Sequence, residues 1–386
     1  MLQDVWQEND DFELENEEYE NDDDNDSEEK PFDADKIRVD SKPISVRQMY
    51  DLIKDEQLNL NPGFQRRQVW KDNKRKSLLI ESLMLRIPIP VFYVYEDNDT
   101  IWHVVDGLQR MSTIYDFIDG KFKLSGLQYL KNSKGLKFEN LEQKYKNRIN
   151  STTLTINVID STTPTQVKYD IFRRINTGGV PLNAQEIRNS TAKKSVRELL
   201  KNMANSKELR RITGDLNDTR MQVQELALRF IAFYNAYDFR NNTVLYKKGM
   251  DTFLDQTFDT LNKMNTADLQ KYMEIFNLAM KNSYLLFGDQ AFRRGNNGHN
   301  KKMPINKSMF TCVSVILSHY MLENRLFKQD KIFARLNKEL DNNNKFSDAL
   351  SKGTADVKSI KSQFKYMKRF IDEVIDYDKE NGNKEF

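Results

Sequence analysis

Val104-Val105-Asp106-Gly107-Leu108-Gln109-Arg110 reads as an apolar strand that delivers a carboxylate at its carboxyl end, a glycine that permits a tight turn, and a helix that begins at once. Downstream, Met111, Ile114, Tyr115 and Ile118 recur at helical spacing, and the pattern stops near Gly120. Upstream, Val91-Phe92-Tyr93-Val94-Tyr95 and Ile101-Trp102-His103-Val104-Val105 read as two strands joined by the acidic turn Glu96-Asp97-Asn98-Asp99, a hairpin. The first backbone N–H groups of a helix have no internal partner and point outward with the positive end of its dipole, so the junction suits a phosphate. Arg110 in the first turn adds a forked cation and Gln109 a neutral hydrogen bond. Asp106 is a carboxylate able to hold a divalent ion or orient water. The same residues also suit a plain helix start in which Asp106 caps the helix and Arg110 pairs with it.

Working outward toward the amino end, Ser45-Val46-Arg47-Gln48 has capping-box spacing, and Val46, Met49, Tyr50 and Ile53 continue a helix that ends before Asn61-Pro62-Gly63. That turn presents Phe64-Gln65-Arg66-Arg67 on a loop. Asp72 can cap a second helix reaching about Arg86, which Ile87-Pro88-Ile89-Pro90 must stop, because proline disfavours helical geometry in the residue before it. Toward the carboxyl end a third strand is expected at Leu154-Thr155-Ile156-Asn157-Val158-Ile159. A helix from Gln166 to Arg174, the loop Ile175-Asn176-Thr177-Gly178-Gly179 and another helix from about Asn183 follow. The paired glycines let backbone approach a ligand, Asn176 can read a polar edge, and Arg174 and Arg188 offer charge; a helix-to-helix turn explains the same residues equally well.

Strands and helices alternate up to about residue 190, whereas beyond it apolar residues fall at three- and four-residue spacing, as in Phe310, Val313, Ile316, Leu317 and Tyr320. The expected class is α+β: an α/β domain over residues 37–190 and an all-α helical domain over residues 191–386. Residues 1–36 carry 17 Asp or Glu against two Lys, a net of −15, and are expected to be a disordered acidic tail, while the remaining body carries +17. A single cysteine, Cys312, excludes a disulfide framework, a cysteine-cluster zinc site and a two-cysteine redox centre. His103, His299 and His319 are the only histidines and lie in unrelated contexts. No run approaches the about 18 apolar residues of a membrane span, and no signal-peptide pattern is present, so a cytoplasmic protein without membrane contact is expected.

Taken in order, Asn61-Pro62-Gly63-Phe64-Gln65-Arg66-Arg67-Gln68-Val69-Trp70, Leu79-Ile80-Glu81-Ser82-Leu83, Ile87-Pro88-Ile89-Pro90, Asp106-Gly107-Leu108-Gln109-Arg110 and Arg174-Ile175-Asn176-Thr177-Gly178-Gly179 resemble the N-terminal domain of GmrSD-type restriction endonucleases. The resemblance covers about residues 40–190; Arg220-Met221, Glu225 and Arg229-Phe230 resemble the family's helical extension. It implies a ParB/sulfiredoxin-like fold whose Asp-Gly-Gln-Gln-Arg motif serves nucleotide binding and hydrolysis in antiphage restriction of modified DNA. Asp106, Gly107, Gln109 and Arg110 match that motif, and Leu108 replaces its first glutamine. By analogy Gln65, Arg66, Asn176 and Gly179 face the same pocket, and Asp106 would hold Mg²⁺ with a nucleoside triphosphate. The cysteine that sulfiredoxins need in this turn is absent, and no HNH-type nuclease domain is recognised.

Three functions follow as expectations. The first is a Mg²⁺-dependent nucleoside triphosphatase module of a bacterial or phage-related restriction and defence system, coupling nucleotide state to DNA or to a separate nuclease subunit. The second is a non-enzymatic DNA-binding adaptor, whose affinity would depend on salt and on Lys74, Arg75 and Lys76. The third is a self-contained nuclease.

Overall fold

The computed structural model describes residues 38–60, 70, 72–97, 100–163, 167, 171, 175, 183–190, 192–214, 218, 220–247, 249–295, 303–323 and 325–381. The acidic segment 1–36 lies outside them, as do Gln65, Arg66, Asn176, Gly179 and His299. The chain divides between Thr191 and Ala192 into two units.

The first unit opens with β1 (Val39–Ser45) and α1 (Val46–Lys54). Ser45 and Gln48 close the expected capping box: Ser45 Oγ accepts the Gln48 N–H at 3.1 Å, and Gln48 Oε1 accepts the Ser45 N–H at 2.8 Å. The helix ends at Lys54, one residue past the last apolar position of its stripe and before Asn61, and Glu56 turns the chain left-handed (φ 58°) into β2 (Leu58–Asn59). α2 (Asn73–Leu85) is capped by Asp72, which accepts the Lys74 N–H at 2.8 Å. It stops at Arg86, in left-handed geometry, just before the two prolines. Then come β3 (Phe92–Glu96), β4 (Trp102–Asp106), α3 (Leu108–Ile118), α4 (Gln143–Ser151), β5 (Thr153–Ile159) and α5 (Ala184–Ser190).

The five strands form a mixed sheet in the order β1-β5-β3-β4-β2, with β3 antiparallel to β4 and parallel to β5. Residues alternate between its faces. Phe92, Val94, Val104, Leu154, Ile156 and Val158 join the larger core with Met49, Ile80, Leu83, Met111 and Ile114 from α1, α2 and α3. On the other face Tyr95, Val105 and Ile159 cluster with Ile187 of α5.

One face of α2 works as a polar rail. Asn73 Nδ2 donates to the Lys123 carbonyl and to Ser125 Oγ, both at 3.0 Å, and Ser77 Oγ accepts the Ser125 N–H at 2.9 Å. Glu81, buried at 3% exposure, accepts the backbone N–H groups of Gln128, Tyr129 and Leu130 at 2.9, 2.8 and 2.7 Å. The spacing 73, 77, 81 is one residue per turn of helix, so an irregular loop is held along a straight line.

The second unit is helical: α6 (Lys194–Ala204), α7 (Lys207–Thr213), α8 (Gln222–Ala236), α9 (Met250–Lys263), α10 (Thr266–Phe287), α11 (Lys307–Leu317), α12 (Gln329–Asn342), α13 (Asn344–Ala349) and α14 (Val357–Asn381). Every residue of α11 is buried, which makes it the centre of this core. The expectation of an all-α domain needs one correction, since a short hairpin, β6 (Tyr237–Asp238) with β7 (Thr243–Val244), follows α8. Asp238 builds its turn by accepting the Arg240 and Asn241 N–H groups at 3.0 and 3.1 Å, and Asn242 adopts positive φ. In α8, Arg229 is 2% exposed and pairs with Glu225 at 3.1 Å, and Lys307 reaches the same carboxylate oxygen at 3.6 Å. Among the described residues no helix is long and apolar enough to cross a membrane.

Candidate functional site

The hairpin β3–β4 places Asp106 opposite Tyr93 at the carboxyl end of β4, and Gly107 turns the chain directly into α3. Gly107 has φ +92°, where L side chains are strained, and a Cβ there would lie 2.3 Å from Phe92 Cδ1. Glycine is therefore required twice over, by backbone conformation and by the fully buried Phe92 ring. α3 begins on Gly107 with no side-chain cap. Asp106 thus does not cap the helix, contrary to the plain reading of the motif, but it does pair with Arg110, at 3.0 Å from Oδ2 to Nη2.

Arg110 is more engaged than its position in the sequence suggests. Its Nη2 also donates to the Val91 carbonyl at 3.1 Å, its Nη1 donates to the Pro90 carbonyl, and its guanidinium carbon lies 4.4 Å from the Phe92 ring centre. Burial pulls this guanidinium below its ordinary pKa, and Asp106 opposes that shift. Arg110 ties the chain entering β3 to the helix that leaves β4, and it fixes Asp106 through one oxygen. The Asp106 side chain stays 35% exposed.

Gln109 also has a structural duty: its Oε1 accepts the Trp70 backbone N–H at 2.7 Å, which fastens Trp70 to α3. The Arg75 guanidinium lies 4.4 Å from the Trp70 ring centre, and Lys76 Nζ lies 5.6 Å from that of Phe122, so two members of the Lys74-Arg75-Lys76 cluster lie over aromatic faces. Leu108, where the family motif has glutamine, packs its side chain against the apolar core.

A single carboxylate is a sparse metal site, and among the described residues no group of three or more His, Cys, Asp or Glu converges. Mg²⁺ characteristically keeps waters and takes one or two carboxylates plus substrate phosphates. Asp106, half held by Arg110 and partly exposed, fits that pattern as the protein's contribution to an ion that arrives with phosphate.

On the opposite sheet face, α5 starts with a second capping box: the Glu186 N–H donates to Asn183 Oδ1, and the Asn183 N–H donates to Glu186 Oε2, both at 2.8 Å. Ile187 of this short helix joins a cluster with Tyr95, Ile159 and Val105, the residue before Asp106. Gln185, Arg188 and Asn189 are buried at 0, 1 and 3% exposure. The sequence marked Arg188 for its charge; Gln185 was missed, and its burial in a seven-residue helix with so few apolar side chains has no signature in local periodicity.

His103, His319 and Cys312 sit in packing roles. His103, buried in β4, bonds through Nε2 to Asp97 Oδ2 at 2.7 Å. His319 stacks on Phe239 and Tyr234, with ring centres 4.7 and 5.5 Å away. Cys312 is fully buried in α11, where burial pushes its thiol pKa up. Of the expected site, then, Asp106, Gly107, Gln109 and Arg110 come together at one turn, joined by Phe92 and the Pro90 and Val91 carbonyls, which a linear motif could not reveal.

No curated protein matches the chain. The family model of the GmrSD restriction endonuclease N-terminal domain matches residues 46–193, from the first residue of α1 to the residue before α6. This segment, which holds the Asp106–Gly107 turn and the helices on both faces of its sheet, is similar to the N-terminal domain of GmrSD restriction endonucleases.

Proposed function

We propose that the chain is a nucleotide-binding and nucleotide-hydrolysing module of a DNA restriction system, in which the Asp106–Gly107 turn receives the phosphates of a nucleoside triphosphate. The observation that supports this reading best is the uncapped N-terminus of α3 beside a carboxylate held from one side only. Backbone donors of the first helical turn would meet phosphate oxygens. Asp106 would contribute one carboxylate to Mg²⁺, which supplies charge neutralisation at the phosphates when bound. Arg110 acts as the residue that positions Asp106, and Gln109 as the one that positions Trp70. Gln65, Arg66, Asn176 and Gly179 are proposed to complete the pocket. The output would be contact with DNA or with a separate nuclease, through the helical unit.

The test is phosphate release from ATP, GTP, CTP and UTP with Mg²⁺, with and without DNA, for the native chain and for Asp106→Asn and Arg110→Lys. Turnover in the native chain that falls by roughly 100-fold or more in Asp106→Asn, with nucleotide still bound, supports hydrolysis at this turn. Native-chain turnover that Asp106→Asn leaves intact refutes the assignment. Binding without turnover would leave a nucleotide sensor and remove the hydrolase.

A further inference from the structure

Gln185 lies in α5 at 0% exposure, and both ends of its amide, Oε1 and Nε2, lack a hydrogen-bond partner among the described residues. Buried amides are nearly always satisfied, because each unmade bond leaves a desolvated group without compensation. A glutamine with neither end satisfied is therefore a poor core residue, and methionine or leucine would fill the same space without that penalty. The environment makes the choice of glutamine still more pointed. Glu186 is committed to the capping box, and Ile187 packs into the sheet-face cluster of Tyr95, Val105 and Ile159. Gln185, Arg188 and Asn189, spaced i, i+3 and i+4, share another stripe of the helix, and all three are buried. A single turn thus presents an amide, a guanidinium and a second amide together.

We infer that Gln185 is a ligand-reading residue: its amide pairs with the donor–acceptor edge of a nucleobase, and Arg188 adds positive charge on the same stripe. An amide offers a donor and an acceptor in one plane, the arrangement that recognises a base edge in a bidentate way. The helix that carries it sends Ile187 into the cluster of Tyr95, Val105 and Ile159, on the sheet face opposite the core that contains Phe92, and Val105 directly precedes Asp106, so base and phosphate recognition would approach the same strand end from its two sides. This inference rests on the proposed nucleotide-binding function and adds a base-selecting contact to it.

The test combines calorimetric titration of the full chain with ATP, GTP, CTP and UTP in the presence of Mg²⁺ and thermal unfolding without nucleotide, for the native chain, Gln185→Met and Gln185→Glu. The native chain is expected to prefer one base. Gln185→Met is expected to bind that nucleotide roughly tenfold or more weakly and to level the preference. It is also expected to unfold at a higher temperature, since it removes an unsatisfied amide. Gln185→Glu, which keeps length and one acceptor but loses the donor, is expected to change the order of preference and carries the test if the methionine variant does not fold. A native chain that discriminates between bases, with unchanged discrimination in either variant, overturns the inference and leaves the proposed function standing. Equal binding of all four nucleotides by the native chain does the same. Absence of any nucleotide binding removes both. A lower unfolding temperature for Gln185→Met would show that the amide is satisfied in the free protein, by a buried water for example, and would also overturn the inference.

Discussion

Replacing Gly107 with alanine tests the geometry of the turn more directly than any change of charge. Holding a non-glycine residue in the left-handed region costs about 1–2 kcal/mol. The added Cβ would sit 2.3 and 2.9 Å from two atoms of the Phe92 ring and 3.1 Å from Arg110 Nη2, so that fully buried ring must shift. Overpacking of this kind adds about 1–3 kcal/mol, while the lower entropy of the unfolded alanine chain returns about 0.4–1 kcal/mol. The expected net loss is about 2–4 kcal/mol. Gly120→Ala is the internal control: Gly120 has φ +72°, yet a Cβ there meets nothing within 4 Å, so it carries the backbone penalty alone. Urea unfolding of both variants, followed by circular dichroism and by tryptophan fluorescence, should therefore place Gly107→Ala about 1–3 kcal/mol below Gly120→Ala. Equal destabilisation by the two substitutions would refute the close contact between Phe92 and the turn. Because Phe92 also carries the Arg110 guanidinium, nucleotide binding should fall in Gly107→Ala and persist in Gly120→Ala.

Other parts of the molecule give equally specific expectations. Glu81→Ala should lower stability by about 3–5 kcal/mol in urea titrations, because three backbone N–H groups lose their shared acceptor; a loss under 1 kcal/mol would refute the rail. The native chain should resist a thiol reagent such as dithionitrobenzoate and react at its one cysteine only after denaturation, given a buried thiol whose pKa burial has raised. His319 is held below its ordinary value of 6.5, first by burial and then by Lys368. A lowered folded value means that the neutral ring contributes stability above the unfolded pKa, and that this is lost as pH falls through the folded one. Lys368→Gln should move the His319 titration, followed by NMR, upward without restoring it fully.

What could be read in the linear sequence was whatever its own neighbours determine. The Ser45–Gln48 box, the Asp72 cap and the β3–β4 hairpin depend on residues a few positions apart, and all three were legible. β1 was not: its residues are exposed or half-buried at the edge of the sheet, so no alternation marks it, and Pro43 suggests a connector although an edge strand tolerates it. α4 buries only Ile149, which leaves no helical stripe to find. At the site, the i,i+4 pair of Asp106 and Arg110 was visible in the spacing. The Pro90 and Val91 carbonyls and the Trp70 N–H were not, because each lies 19 or more residues away and belongs to backbone that carries no residue-type signature.

The rail on α2 has a consequence for how this protein can change. Asn73, Ser77 and Glu81 meet the 123–130 loop at fixed intervals, and most of what they hold is main chain. Nearly any side chain is then admissible at 128 and 129, as the exposed Tyr129 illustrates, but the number of residues between 125 and 128 is not. A loop without regular structure, where insertions are ordinarily tolerated, is here as intolerant of a change in length as a strand in the middle of a sheet.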